Sequence, residues 1–234
     1  MVKVAALADL HVEETSAQPY RDLFAEISQR ADVLLLCGDL TNLGKAHEAE
    51  ILAQDLHSCT LPVIGVLGNH DHESGQAAEV VQILQGAGMR FLESQTHELG
   101  GVGFAGVKGF AGGFGTRMLS SFGEDAIKRF VAEAVDEAMR LENALRMLRA
   151  ERKVVVLHYS PITATLAGES PELFAFLGSS RLAETIDRFE VDAVFHGHAH
   201  HGSYSGTTEK GIPVYNCARP VAKDGGRPYA LIEV

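Results

Sequence analysis

No apolar run in this chain approaches the roughly 18 residues that a membrane-spanning helix needs, so no transmembrane anchor is expected. The apolar start, residues 1–8, stops at Asp9 and is too short for the apolar core of a signal peptide plus its cleavage site. Cysteine is scarce. Cys37, Cys59 and Cys217 are odd in number and widely spaced, which argues against a disulfide framework and predicts buried thiols in a reducing compartment. A cytoplasmic location is expected on these grounds. Positive charge is short as well: 20 Lys and Arg stand against 31 Asp and Glu, for a net charge of -11. That balance disfavours broad electrostatic binding to nucleic acid or to an anionic membrane. Internal repeats, low-complexity tracts and clear linkers are also lacking, so residues 1–234 read as one domain. What the chain does have is 46% hydrophobic residues, enough for a sizeable core without staples, and 11 unevenly spread histidines.

Short apolar runs at 2–8, 32–37, 61–67, 153–157 and 191–195 each end abruptly in polar residues. Runs of this length, rich in Val, Leu and Ile, predict strands buried on both faces. Helical spacing of apolar residues fills the intervals at 20–30, 45–57, 76–85 and 181–189. Strand alternating with helix predicts βαβ units and an α/β fold with a largely parallel sheet. The middle differs. Short strands are expected at 89–92, 96–99 and 102–107. A loop with four glycines in the seven residues 109–115 follows, then a long helix over about 122–150. Ser121 with Glu124 fits a capping box at its start. Residues 202–234 alternate apolar runs with Gly and Pro, as a small antiparallel sheet would.

Metal-ligand residue types sit at the carboxyl ends of five of these strands: Asp9 and His11, Asp39, Asn69 with His70 and Asp71, His158, and His198 with His200. In parallel α/β sheets those ends share one edge, where ligands bind, so residues far apart in sequence can converge there. Carboxylate oxygen with imidazole nitrogen suits divalent transition metals, whereas an all-oxygen set would suggest Mg or Ca. Each motif alone is weak; Asp-x-His and Gly-Asp arise often by chance, and His158 has the least local support. The ordered series persuades, with steps of 30, 30, 89 and 40 residues from Asp9 through Asp39, Asn69 and His158 to His198.

With these motifs the chain resembles the calcineurin-like metallophosphoesterase family, and within it the small prokaryotic-type binuclear enzymes. That family is marked by Asp-x-His, Gly-Asp, Gly-Asn-His-Asp/Glu, His and Gly-His-x-His in order. The resemblance implies a four-layer αββα sandwich: two mixed β-sheets flanked by helices, with the metal site at the strand C-terminal ends. It implies two divalent transition-metal ions, Mn or Fe favoured and Zn, Ni or Co compatible. Asp9, His11, Asp39 and His200 would hold one, and Asp39, Asn69, His158 and His198 the other, with Asp39 bridging. A hydroxide shared by the two metals would be the nucleophile of a phosphohydrolase, and His70 would assist the leaving group, with Asp71 orienting its imidazole. The expected substrate is a small phosphoester, diester or monoester. The phosphoprotein phosphatases of the family extend Gly-Asp to Gly-Asp-x-x-Asp-Arg-Gly; here the stretch is Gly38-Asp39-Leu40-Thr41-Asn42-Leu43-Gly44. The Gly-Asp-Leu-Thr form is closer to that of cyclic nucleotide phosphodiesterases and many small prokaryotic phosphoesterases.

Alternatives stay open at this stage. A protein-interaction scaffold on the same fold, or a nuclease of the same family, would share these motifs. The 109–115 loop reads either as a mobile flap, with Phe110, Phe114 or Arg117 meeting substrate, or as a plain connection. The apolar stripe of the long helix fits packing on the sheet or a homo-oligomer contact. His72, His196 and His201 flank the motifs without belonging to them. His47, His57 and His97 read as surface residues.

Overall fold

The computed structural model describes residues 1–93 and 95–234. The first half follows the alternation in the sequence: β1 (Lys3–Leu7), α1 (Arg21–Ile27), β2 (Val33–Cys37), α2 (Ala46–Leu56), β3 (Val63–Val66), α3 (Ala77–Gly86) and β4 (Met89–Phe91). Next come β5 (His97–Leu99), β6 (Val102–Val107), α4 (Asp125–Met147), β7 (Arg152–Leu157), α5 (Phe174–Leu177), α6 (Ser180–Ile186) and β8 (Ala193–His196). The chain ends with β9 (Ser205–Thr207), β10 (Pro213–Asn216) and β11 (Ala230–Glu233).

These strands form two mixed sheets rather than the one largely parallel sheet that alternation alone suggests. The first has the order β11-β1-β2-β3-β4 and the second β5-β6-β7-β8-β10-β9. Among the described residues only the outer pairings β1–β11, β5–β6 and β9–β10 are antiparallel. Successive side chains of a strand face opposite sides, and the burial obeys that period. Val4, Ala6, Val33 and Leu35 meet Phe104, Val154, Val156 and Phe195 in a core between the sheets. Ala5, Leu7, Leu34 and Leu36 instead pack under the first three helices with Phe24, Leu52 and Leu84. Val155, Leu157 and Val194 pack outward against Leu141, Leu145, Leu182 and Ile186 of α4 and α6. The result is helices, sheet, sheet, helices, with the C-terminal ends of β1–β3 facing those of β7 and β8.

Several sequence expectations change. Residues 202–234 do not form their own antiparallel sheet: β10 extends the second sheet parallel to β8, while β11 crosses to the first and pairs with β1. The long helix starts at Asp125, with Glu124 as N-cap and no side-chain cap, so the Ser121 box does not form. Gly123, at φ +119, breaks the turn that the box would need. The helix buries Val131, Ala134, Ala138, Leu141 and Leu145, so its apolar stripe is used for packing within this chain. Cys37 and Cys217 are buried free thiols, but Cys59 is only half-buried. The 109–115 loop is no free flap. Gly112 N–H donates to the Ala175 carbonyl and Gly113 N–H to that of Gly178, at 2.8 and 2.9 Å. Gly109 N–H donates to Glu137 Oε2 at 2.6 Å. Among the described residues no helix is long and apolar enough to cross a membrane.

Candidate metal centre

The turns after five strands bring the sequence-predicted ligands together. Asp9 and His11 follow β1, Asp39 follows β2, and Asn69 leads a short 3-10 turn, His70–His72, after β3. His158 directly follows β7, and His198 and His200 follow β8. Among the described residues five non-glycine positions have positive φ, and four are in this set: Asp9 at 59°, His11 at 46°, Asp39 at 49° and His198 at 70°. Such a conformation is costly outside glycine and persists where the surrounding structure over-determines it, which is common at functional sites. Strand geometry would point alternate side chains away; the left-handed step turns these four back toward one point.

Glycines make the room. Gly38, at φ +85, lies under His158, and a Cβ there would fall 2.5 Å from Nδ1 of that ring. A Cβ at Gly68 would stand 2.1 Å from Asp39 Oδ1. Gly38 is therefore required by close approach and by its left-handed turn, and Gly68 by close approach.

Among the described residues three groups have ligand atoms within 4.8 Å of one another and could each hold a metal ion: Asp9, His11 and His200; Asp39, His158 and His198; and His11, Asp39 and His70. In the first, His200 Nε2 is 2.9 Å from Asp9 Oδ1, and Nε2 of His11 and His200 are 3.5 Å apart. His11 Nε2 also lies 3.9 Å from Asp9 Oδ1 and from Asp39 Oδ2. In the second, His158 Nε2 is 3.4 Å from Asp39 Oδ1 and 2.9 Å from Asn69 Oδ1. Asp39 thus turns one oxygen to each side.

This donor set fits divalent transition metals. Imidazole nitrogens and carboxylate oxygens converge, and two imidazole Nε2 atoms facing each other need a proton or a cation between them. The outer atoms agree, since metal-binding histidines usually donate their other N–H to an oxygen. His158 Nδ1 donates to the Cys37 carbonyl at 2.9 Å, freeing Nε2. His198 Nε2 lies 3.4 Å from the Phe176 carbonyl, leaving Nδ1 free. His11 Nδ1 is buried without a partner among the described residues.

The protonation pattern is divided. Burial disfavours charge on His158, but the adjoining Asp39 carboxylate outweighs it and lifts the pKa to about 9. Burial and then the nearby His158 charge press His198 down to about 3. Burial would raise Asp39, yet His158 holds it below the usual carboxylate range. Burial also opposes Asp9, which the His200 hydrogen bond and the His158 charge keep lowered. Without metal, His158 is the charge that balances two buried carboxylates.

Asp71 is a correction. It does not touch the imidazole of His70. Its carboxylate, fully buried, accepts from Leu40 N–H at 3.2 Å, Thr41 N–H at 2.8 Å, Thr41 Oγ1 at 2.6 Å and Gly68 N–H at 2.8 Å. Neighbouring residues in the 3-10 turn point opposite ways, so Asp71 ties the turn after β2 to the turn after β3. His70 Nδ1 instead meets the Asn42 carbonyl at 2.6 Å, and its ring stands 4.5 Å from that of His11. The Thr41 of the Gly-Asp-Leu-Thr stretch was the available signal, since it is Asp71's side-chain partner.

A model of the calcineurin-like phosphoesterase family matches residues 2–202, a span that contains every residue of the site. The chain belongs to the calcineurin-like phosphoesterase family. Members are phosphoester hydrolases, and at that general level this calcineurin-like chain is a metal-dependent phosphoester hydrolase. The crystal structure of TT1561 of Thermus thermophilus has the same fold, with a TM-score of 0.64 at 18% identity over 93% of this chain and 89% of that one. A second crystal structure matches with a TM-score of 0.62 at 15% identity, over 92% and 90% of the two chains. No curated protein matches this sequence.

Sequence reasoning missed Tyr159 and the carbonyls of Cys37, Asn42 and Phe176, which lie against the histidines of this calcineurin-like site. Backbone carbonyls carry no sequence signal. His196, outside the motifs, is fully buried between Thr165 Oγ1 and the Gly197 carbonyl, at 2.9 and 2.8 Å.

Proposed function

We propose that this chain, as one domain over residues 1–234, is a binuclear metallophosphohydrolase acting on a small phosphoester, a diester or a monoester. The observation that carries the reading is Asp39, whose two oxygens each face a separate ligand group. A carboxylate with one oxygen turned to each side can serve two cations at once. Asp9, His11, Asp39 and His200 would hold one metal and Asp39, Asn69, His158 and His198 the other; the mixed nitrogen and oxygen set suits divalent transition metals, Mn or Fe being favoured by the family resemblance and Zn, Ni or Co compatible. Bound divalent cations lower the pKa of water and neutralise phosphate charge. The protein's part is orientation: buried Asp71 and the left-handed turns fix where the ligands point. His70, with Nδ1 held by the Asn42 carbonyl, has Nε2 left to face the substrate and deliver a proton or hydrogen bond to the departing oxygen. The test is to assay bound metal, then compare hydrolysis of bis-aryl phosphate, aryl phosphate and cyclic nucleotides, with Asp39→Ala as control. Two metals per chain and metal-dependent turnover are expected. A metal-loaded protein that hydrolyses none of these would overturn the reading.

A further inference from the structure

Tyr159 immediately follows a ligand histidine, yet neither the family series nor the two ligand groups include it. Its ring centroid lies 4.4 Å from that of His198 and 5.5 Å from that of His158. Phe110 packs on its other side at 5.8 Å. Only 7% of the residue is exposed. The phenol oxygen has no hydrogen-bond partner among the described residues, and it is not among the sealed orphan atoms, so it reaches open space. A tyrosine this buried normally finds a partner for its hydroxyl. A phenol, with an ordinary pKa of about 10, has a hydrogen to donate at neutral pH. Lys108 adds positive charge to the same wall. Its ammonium stands 5.0 Å over the Phe110 ring and 5.4 Å over that of Tyr159, and donates to the Gly109 carbonyl.

We propose that Tyr159 is a substrate-binding residue whose hydroxyl donates a hydrogen bond to a non-bridging phosphoryl oxygen of the ester. The inference rests on the phosphohydrolase reading above. The Phe110, His158 and His198 rings fix the phenol in advance, so little rotamer freedom is lost when substrate arrives.

The test is Tyr159→Phe, which removes one oxygen and keeps the ring that packs on His198. Metal-loaded wild type and Y159F are titrated with inorganic phosphate, following tyrosine absorbance; the chain has no tryptophan to mask it. Y159F is expected to retain both metals, to bind phosphate about 10-fold or more weakly, and to lose most of the phosphate-induced difference signal. With bis-aryl phosphate, kcat/KM should fall by a similar factor. Phosphate binding at wild-type affinity by Y159F overturns the proposal. Loss of metal from Y159F overturns it as well, because the residue would then act by holding His198. Failure of the phosphohydrolase reading looks different: wild type hydrolyses nothing, while the phosphate titration still decides what Tyr159 does.

Discussion

The two ligand groups that share Asp39 differ in their access to water. On one side, the His11 and His200 side chains are 22% and 36% exposed, and their nitrogens face each other at the rim. On the other, His158 is fully buried, its Nδ1 bonded to the Cys37 carbonyl at the end of β2. The rim group draws its histidines from the turns after β1 and β8. The buried group takes His158 from the end of β7, over the missing Cβ of Gly38, and half-buried His198 from the same turn after β8. Water reaches the first more readily, while His158 in the second is held at both ring nitrogens. The contrast suggests a division of labour. On the binuclear reading, a metal at the rim would exchange and meet substrate first, and one at the buried group would be the fixed reference against which the phosphate is oriented.

The strongest way to break this comparison is Asp39→Ala, which removes the one group common to both sides. Turnover should drop by several orders of magnitude, with bound metal falling below two per chain. Retention of two metals with near-normal activity would mean that the groups do not share Asp39. His70→Ala should come next, at about 10²–10⁴-fold in kcat, the usual worth of a positioned proton donor. Both metals should remain, measured by elemental analysis. If metal leaves the rim, His70 is a ligand there, as its place in a group with His11 and Asp39 would allow. Gly38→Ala is a smaller blow aimed at the buried side. The new methyl would press on the His158 ring and strain a left-handed backbone position, so it should cost about 1–3 kcal/mol of stability. It should also loosen the buried metal before the rim metal, as read by sequential chelation. Equal loss from both sides would remove the asymmetry.

Much of this centre was legible because its ligands end strands. The five apolar runs stop where polar chemistry starts, and Asp9, Asp39, Asn69, His158 and His198 come straight after them. The division into two sheets was not legible from the runs themselves. A strand buried on both faces has the same composition whether it lies between helices and a sheet, as β2 does, or between two helix layers. β11 was missed as a partner of β1 because its pairing spans nearly the whole chain and leaves no local pattern. Asp71 was misassigned because adjacency in sequence was taken for adjacency in space. Tyr159 carried no motif; only the packing of three rings around it marks it out.

The last and smallest effect concerns protons on the buried side. In the metal-free protein His158 has a folded pKa of about 9, raised because Asp39 outweighs burial. A group raised in this way contributes stability that is full below its unfolded pKa, about 6.5, and is lost as pH climbs through 9. His196 runs the other way. Burial lowers its folded pKa to about 4, so its contribution is present above about 6.5 and is lost as pH falls toward 4. The lowered Asp9 and Asp39 add to the acid limb. Thermal melts of chelator-treated protein should therefore peak near neutrality and fall on both sides, by a few degrees on the alkaline limb. Bound metal requires neutral His158, so loading should release a proton and flatten that limb while leaving the His196 part of the acid limb in place. Metal-free protein that grows more stable from pH 7 to 9 would mean that His158 does not carry the balancing charge, and the buried group would then differ from the rim only in exposure.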